Sequence, residues 1–476
     1  MKLVYDVKDR PPFGKMLVYA FQQMLAIIAA TVLVPILSDA TGLYLSQSAA
    51  LIGAGVGTVV YLLFTRFSSP VFLGSSFAFI TPLTMAVTYG YCGIIVGSIF
   101  AGLVYAVIAV IVKIVGSDWI NKLMPPVIIG PTVALIGLSL SSSAVNNLMN
   151  TAGGAENYNL VCIAIGVITF LATVIASVKG TKGMKLIPFV IGVGCGYVVA
   201  VIVTLLGYTF GGNSYFNIVD FSAFKTISDF SNWVPNITFI GAVKELTGAA
   251  EMKLTASGVL SLLVAFAPVA LVVFAEHVAD HKNIGSVIGR DLLKEPGLHR
   301  TLLGDGVGSM AGAMFGGCPN TTYGESIGCV AITGNASIAT ILTTAVICIV
   351  LAFFYPFIVL IETIPSCIVG GICIALYGFI AVSGLRMFKE VDLDNSKNLF
   401  IVSAILVPGI GGVALNFGSI SISSIATGLL LGIIVNAILK PVKTKICTSI
   451  NVEEGKVAEQ TMFGTIYTDE KKKEDQ

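Results

Sequence analysis

Pro319-Asn-Thr-Thr-Tyr-Gly-Glu-Ser-Ile-Gly328 lies between two apolar runs and interrupts them. The stretch holds a proline, two glycines and one acid, Glu325, in a chain that is 55% hydrophobic and only 11% charged. Soluble domains run about 25% charged, and the mean hydropathy here is +0.92, so the chain reads as membrane-embedded. Charge-free stretches such as 16–38, 40–65, 67–112 and 398–439 each hold one or two spans, since a spanning helix needs about 20 apolar residues. Unwound backbone at that depth must be shielded by protein or line a cavity, so the interruption needs a reason.

The interruption has a counterpart. Pro70-Val-Phe-Leu-Gly-Ser-Ser-Phe77 lies 249 residues earlier, again short and broken by Pro and Gly. A second pair follows at an offset of 240. Pro125-Pro-Val-Ile-Ile-Gly130 and Pro365-Ser-Cys-Ile-Val-Gly370 both read Pro-x4-Gly, and they continue to Ala134-Leu-Ile-Gly137 and Ala375-Leu-Tyr-Gly378. Two matches at similar offsets point to related halves. The apolar pattern gives about fourteen segments, hence seven per half. Seven is odd, so the second half enters the membrane from the opposite side. The expected fold is an all-α polytopic membrane protein with fourteen transmembrane segments in two inverted seven-segment repeats, two of them short and interrupted, near 69–84 and 319–333. Paired interrupted segments of this kind are the sequence pointer to a transporter's binding site.

Lys and Arg set the orientation. With the spans placed in this way, 24 of the 27 Lys and Arg fall on one side. Only Lys225, Lys244 and Lys253 fall on the other, all in the connection 208–257. Both termini are therefore expected in the cytoplasm, in a multi-pass protein of the inner (plasma) membrane. The expected domains are an N-terminal segment 1–15, a first repeat 16–207, the outer connection 208–257, a second repeat 258–441 and a cytoplasmic tail 442–476. The basic residues are topology signals, and no pattern suggests nucleic acid. Nine Cys without a Cys-x-x-Cys spacing argue against a metal or disulfide framework.

Three acids stand inside apolar surroundings. Glu276 ends the run that starts at Gly258. Glu325 begins the segment after the interruption. Asp305 lies in Gly304-Asp-Gly306, where a structural hydrogen-bonding role is expected. A carboxylate at the bilayer centre costs about 2.5–3.5 kcal/mol on insertion scales, so such acids are functional candidates. Thr322-Tyr-Gly-Glu325 also has the spacing of a helix capping box, and Ser75 and Ser76 are placed to cap the matching half-helix. Asp280 and His281, one turn beyond Glu276 and His277, are expected at the solvated cytoplasmic end. The two His, four residues apart, lack a third metal ligand, because His299 lies in a basic loop. No metal and no cofactor is expected, and no nucleophile–base pair suggests an enzyme.

The motifs Ala30-Thr-Val-Leu-Val-Pro35, Leu73-Gly-Ser-Ser-Phe-Ala-Phe-Ile80, Ala275-Glu-His-Val278, Asp291-Leu-Leu-Lys-Glu-Pro-Gly-Leu-His-Arg300 and Pro319 to Glu325 carry a resemblance over nearly the whole chain. They resemble the nucleobase–ascorbate transporter family, also called nucleobase:cation symporter 2, on its uracil-carrying bacterial branch. The family signature appears from Glu325 to Thr333, with Ser326 where Asn is usual. The resemblance implies a core domain (16–115 and 258–360) that carries the site. It implies a gate domain (120–207 and 362–441) that makes most of a homodimer contact. It assigns Glu276 and Glu325 to the base, Phe77, Tyr323 and Gly324 to positions facing it, and Tyr377 to the gate side. Asp280 stands where one relative has His, which ties it with the two glutamates to proton coupling. Gln22 and Gln23 match a Gln-His pair in relatives, and with Ser76, Ser326, Asp305 and Thr333 they form the supporting set.

The implied function is proton-coupled symport of a nucleobase, uracil above all, by alternating access. A xanthine or purine symporter of the same family and an anion transporter or channel of the same fold are the alternatives. Uracil offers two N–H donors and two carbonyl acceptors on a flat ring. Carboxylates accept the former, free backbone N–H groups donate to the latter, and an aromatic face stacks on the ring.

Overall fold

The computed structural model describes residues 3–39, 41–116, 119, 123–149, 158–209, 214–417 and 420–439, together with the tail strands 456–461 and 464–469. Most of the tail expected from 442 lies outside these residues. Helices α1 (Phe13–Ser38) and α2 (Gln47–Phe64) are followed by a three-residue strand β1 (Leu73–Ser75) and a 3-10 turn at Phe77–Phe79. Helices α3 (Ile80–Val87), α4 (Gly90–Val115), α5 (Pro126–Ser139), α6 (Ser141–Met149), α7 (Leu160–Val178) and α8 (Pro188–Thr209) complete the first half. The connection between the halves holds 3-10 turns and a short helix α9 (Thr238–Leu246).

The second half runs in the same order. It comprises α10 (Ala256–Ile288), α11 (Leu298–Gly316), β2 (Asn320–Thr322), α12 (Gly324–Thr333), α13 (Ile338–Ala352), α14 (Tyr355–Glu362), α15 (Ser366–Arg386), α16 (Ser396–Ile410) and α17 (Ser424–Ile438). Among the described residues eight helices are long and apolar enough to cross a membrane, and α13 with α14 forms a ninth, bent by 81°. Pro356 in the first turn of α14 fits a new helix start rather than a helix interior.

Glycines decide how closely the helices approach. On α2, a Cβ at Gly53 would lie 2.5 Å from the Gly312 carbonyl oxygen and 2.9 Å from the Gly316 Cα of α11. This is small-residue packing of the kind that joins membrane helices. Elsewhere, a Cβ at Gly137 of α5 would meet the Tyr377 carbonyl oxygen of α15 at 2.3 Å. Helices α1, α2, α4 and α10–α13 thus pack as one bundle, and α5–α8 with α15–α17 as another. Helix α10 touches both. It packs on α4 and α12 in the first and on α5 and α17 in the second.

The connection between the halves is tied down by a buried acid. Glu245 of α9 accepts the N–H groups of Tyr91 and Cys92 at 2.9 and 2.8 Å, capping α4 from another element. Such a carboxylate also complements the helix dipole. Glu245→Ala leaves the half-buried Tyr91 N–H and the buried Cys92 N–H without an acceptor, at about 1–3 kcal/mol for the buried one. The expected result is a lower melting temperature in detergent, with Glu245→Gln falling between the two.

Candidate functional site

Strands β1 and β2 come from opposite halves and pair antiparallel, Leu73 with Thr322, Gly74 with Thr321 and Ser75 with Asn320. Pairing satisfies backbone groups that the bilayer cannot. Neighbouring side chains complete it. Thr58 of α2 accepts from Leu73 N–H at 2.9 Å and donates to the Leu73 carbonyl at 3.1 Å. Asn320 donates to the Gly53 carbonyl at 2.8 Å. Each strand leads into the N-terminus of a short helix, so two sets of leading N–H groups, which lack intrahelical acceptors, start beside the crossing.

Glu325 occupies the first turn of α12, where the helix dipole favours an anion. Glu276 lies on α10, which packs against α12 and β2. Both acids are only partly buried, although Ala275, His277 and Ser326 beside them are buried. Space continues along α12, because a Cβ at Gly324 or at Gly328, one turn on, would meet nothing within 4 Å. Across the two bundles, the Phe77 and Tyr377 rings meet edge to face, with centroids 5.6 Å apart at 83°. Tyr323 is turned away from that space. Its ring covers Gly74, and its hydroxyl donates to the Ser75 carbonyl at 2.8 Å. Its side chain therefore braces the strand crossing.

The supporting residues divide by contact. Gln23 of α1 donates to the Ser326 hydroxyl at 2.5 Å, and the Phe72 N–H reaches the same oxygen at 3.2 Å. Ser326 thus ties α1 and the β1 approach to the start of α12. The Gln22 side-chain oxygen is buried without a protein partner, and so is the Ser76 hydroxyl. Thr333 donates to the Cys329 carbonyl at 2.7 Å, within its own helix and two turns from Glu325. Asp305 meets His277 Nδ1 at 2.7 Å, and His277 Nε2 lies 3.0 Å from the Thr301 hydroxyl.

Three expectations are corrected here. Thr322 caps nothing. It lies in β2, and its hydroxyl donates to Asp280 at 2.7 Å. Tyr323 takes the cap position of α12 with no side-chain cap bond, and Ser76 likewise makes none. Asp280 and His281 are not at a solvated end. Helix α10 continues to Ile288, and the two residues are 7% and 1% exposed. Burial is sustained by pairing, since His281 Nδ1 donates to the His277 carbonyl and Nε2 meets the Tyr61 hydroxyl, at 2.8 and 2.7 Å. Hydropathy alone carries no signal for such partners, although the i,i+4 spacing of the acids and of the His put each pair on one helix face.

The contact between Thr322 and Asp280 has a measurable consequence. Thr322→Val leaves the Asp280 carboxyl short of a donor in a buried site, at about 1–3 kcal/mol. Thermal stability in detergent should fall accordingly, and Thr322→Ser should restore it. Equal stability of the Val and Ser variants would show that the bond contributes nothing. Among the described residues no group of three His, Cys, Asp or Glu side chains is arranged to hold a metal ion.

Known proteins share both the sequence and the fold. The family model described as "Permease family" matches residues 14–417. The uracil permease of Bacillus caldolyticus is 38% identical over 92% of this chain and 95% of its own length. That of Bacillus subtilis strain 168 is 34% identical over 93% of this chain and 96% of its own. The uracil permease of Escherichia coli K12 is 31% identical over 91% and 93%. Among solved structures, the transmembrane domain of the cyanobacterial bicarbonate transporter BicA superposes with a TM-score of 0.54 at 14% identity, covering 91% of this chain and all of that one. SLC26A9 gives 0.58 at 12% identity, over 95% of this chain and 68% of that one. At such identities these structures speak to the fold alone, which is the inverted-repeat transporter fold. The chain belongs to the permease family, and the three uracil permeases above match it over nearly their whole length.

Proposed function

We propose that this chain imports uracil together with a proton across the plasma membrane. The bundle of α1–α4 and α10–α13 is the core that carries the base, and the bundle of α5–α8 and α15–α17 is the gate against which it slides. The observation that carries this reading is the pair of partly exposed acids, Glu276 and Glu325, on adjoining elements beside two half-helix N-termini. Carboxylates accept from ring N–H groups, and the leading N–H groups of α12 and of the Phe77 turn donate to ring carbonyls. Phe77 supplies a face for the ring, with Tyr377 approaching from the gate. A carboxylate that accepts from the ring can also take up a proton, so a proton can bind with the base and leave with it. Asp280, held by Thr322 at the end of β2, is the third proton candidate.

The names of the relatives favour uracil, and two acids in the site disfavour an anion as cargo. The gate supplies a homodimer contact in this reading, and both termini face the cytoplasm. The test is uptake of labelled uracil into proteoliposomes under an inward proton gradient, with thermal melting of the purified protein against uracil, xanthine and hypoxanthine. A bound solute stabilises by mass action, by about 2.7 kcal/mol at a hundred times its Kd. Uracil should drive the largest shift, and collapse of the gradient should stop accumulation. Stabilisation by xanthine with none by uracil would move the assignment to purines.

A further inference from the structure

Away from the acids, an apolar crevice of about 240 Å³ separates α1 from the other bundle. Ile28 and Val32 of α1 form one wall, Gly194 and Tyr197 of α8 and Leu360 of α14 the rim, and Ile368 of α15 the floor. We propose that this crevice is a binding site for one acyl chain of a bilayer lipid. Nothing polar is offered to water there, since Tyr197, the one lining residue with a hydroxyl, bonds Thr363 at 2.7 Å. The volume exceeds that of an engineered apolar cavity of about 150 Å³, which stays dry yet takes up benzene.

The crevice is open at its rim. Gly194 is exposed, a Cβ there would meet nothing within 4 Å, and Leu360 is 41% exposed. Helix α8 carries further exposed apolar side chains, Val198 at 58% and Ile202 at 51%. In a spanning helix such a face meets hydrocarbon. The same medium therefore reaches the rim, and an acyl chain is the partner that fits an apolar slot opening on it. The slot lies in the seam between the bundles, where packed side chains would otherwise leave a void, and a void forfeits dispersion contacts on one side. The occupant follows from packing and hydropathy and is independent of the solute carried.

The test reconstitutes the full chain with a phospholipid bearing a diazirine at mid-chain and maps the adducts by peptide mass spectrometry. Adducts are expected on the inner lining, at Ile28, Val32 or Ile368, beside those on the bilayer face at Val198 and Ile202. Gly194→Phe, which fills the rim, should remove the inner adducts and keep the outer ones, which also reports that the variant is folded. Gly194→Leu serves the same purpose if the larger side chain prevents folding. Adducts confined to the outer face in the unmodified chain overturn the proposal. Labelling of the inner lining by a water-soluble diazirine would make the crevice an aqueous vestibule, and protection from both probes would make it a contact with a second copy. Either result overturns it as well.

Discussion

Glu276→Gln and Glu325→Gln each abolish uracil uptake driven by a proton gradient, while both proteins still purify as folded particles. An amide keeps the size of the side chain and one acceptor oxygen. It loses the charge and places N–H donors where the ring N–H must be accepted. Hydrogen bonds to charged groups contribute about 1.5–3 kcal/mol, so each change should weaken uracil binding roughly 10- to 150-fold. Transport should fall further, because an amide does not exchange a proton with the base. Glutamine at 325 still lies at the start of α12 and at 276 on the part of α10 that faces α12, so folding has little reason to fail. Binding is read by thermal shift and translocation by counterflow, which needs no proton gradient, so loss of gradient-driven uptake with counterflow retained marks lost coupling. Full gradient-driven uptake by both variants would sink the proposed site.

Gly53→Leu, by contrast, should leave no folded protein to assay. Its Cβ would collide with the Gly312 carbonyl oxygen and the Gly316 Cα, backbone atoms that cannot rotate aside. Overpacking a good core costs about 1–3 kcal/mol where side chains adjust, and here the helices themselves must part. Parting them withdraws the Gly53 carbonyl from Asn320 and moves Thr58 relative to Leu73, so the strand crossing fails with the seam. Fluorescence-detected size exclusion should show aggregate in place of a monodisperse peak. Gly14→Leu, at an exposed position on α1 where a Cβ meets nothing within 4 Å, is the matched control and should behave as the parent chain.

The repeat was legible because it rests on residues with local meaning. Pro and Gly break helices wherever they stand, so the interruptions at Pro70 and Pro319 announced short elements. Their pairing into one antiparallel ribbon was not legible, since register depends on residues some 250 positions apart. Thr322 shows the limit. Its spacing to Glu325 matches a cap, but the chain is extended there, and the side chain points to α10. Asp280 and His281 looked like the end of a span because hydropathy counts charges without their partners. Thr322 and Tyr61 come from distant segments, and only packing brings them close. Gln22 and Gln23 are adjacent and chemically equal in sequence, but a turn of 100° sends one to Ser326. The bend between α13 and α14 had a signal in Pro356, hidden within a continuous apolar run.

The strand crossing also sets a schedule for making the protein. Tyr323, whose hydroxyl holds the Ser75 carbonyl, is added to the chain 248 residues after Ser75. At about 5–20 residues per second, the first strand waits roughly 12–50 seconds for its partner. During that interval Leu73, Gly74 and Ser75 have unpaired backbone in or near the bilayer, a state that hydrocarbon tolerates poorly. A nascent chain halted before Asn320 should therefore keep residues 70–77 accessible to aqueous thiol reagents through a cysteine at Ser75. Release past Gly324 should close that access. Biogenesis of the first half is then completed by synthesis of the second, and the insertion machinery must hold a half-built transporter until the sequence that closes it arrives.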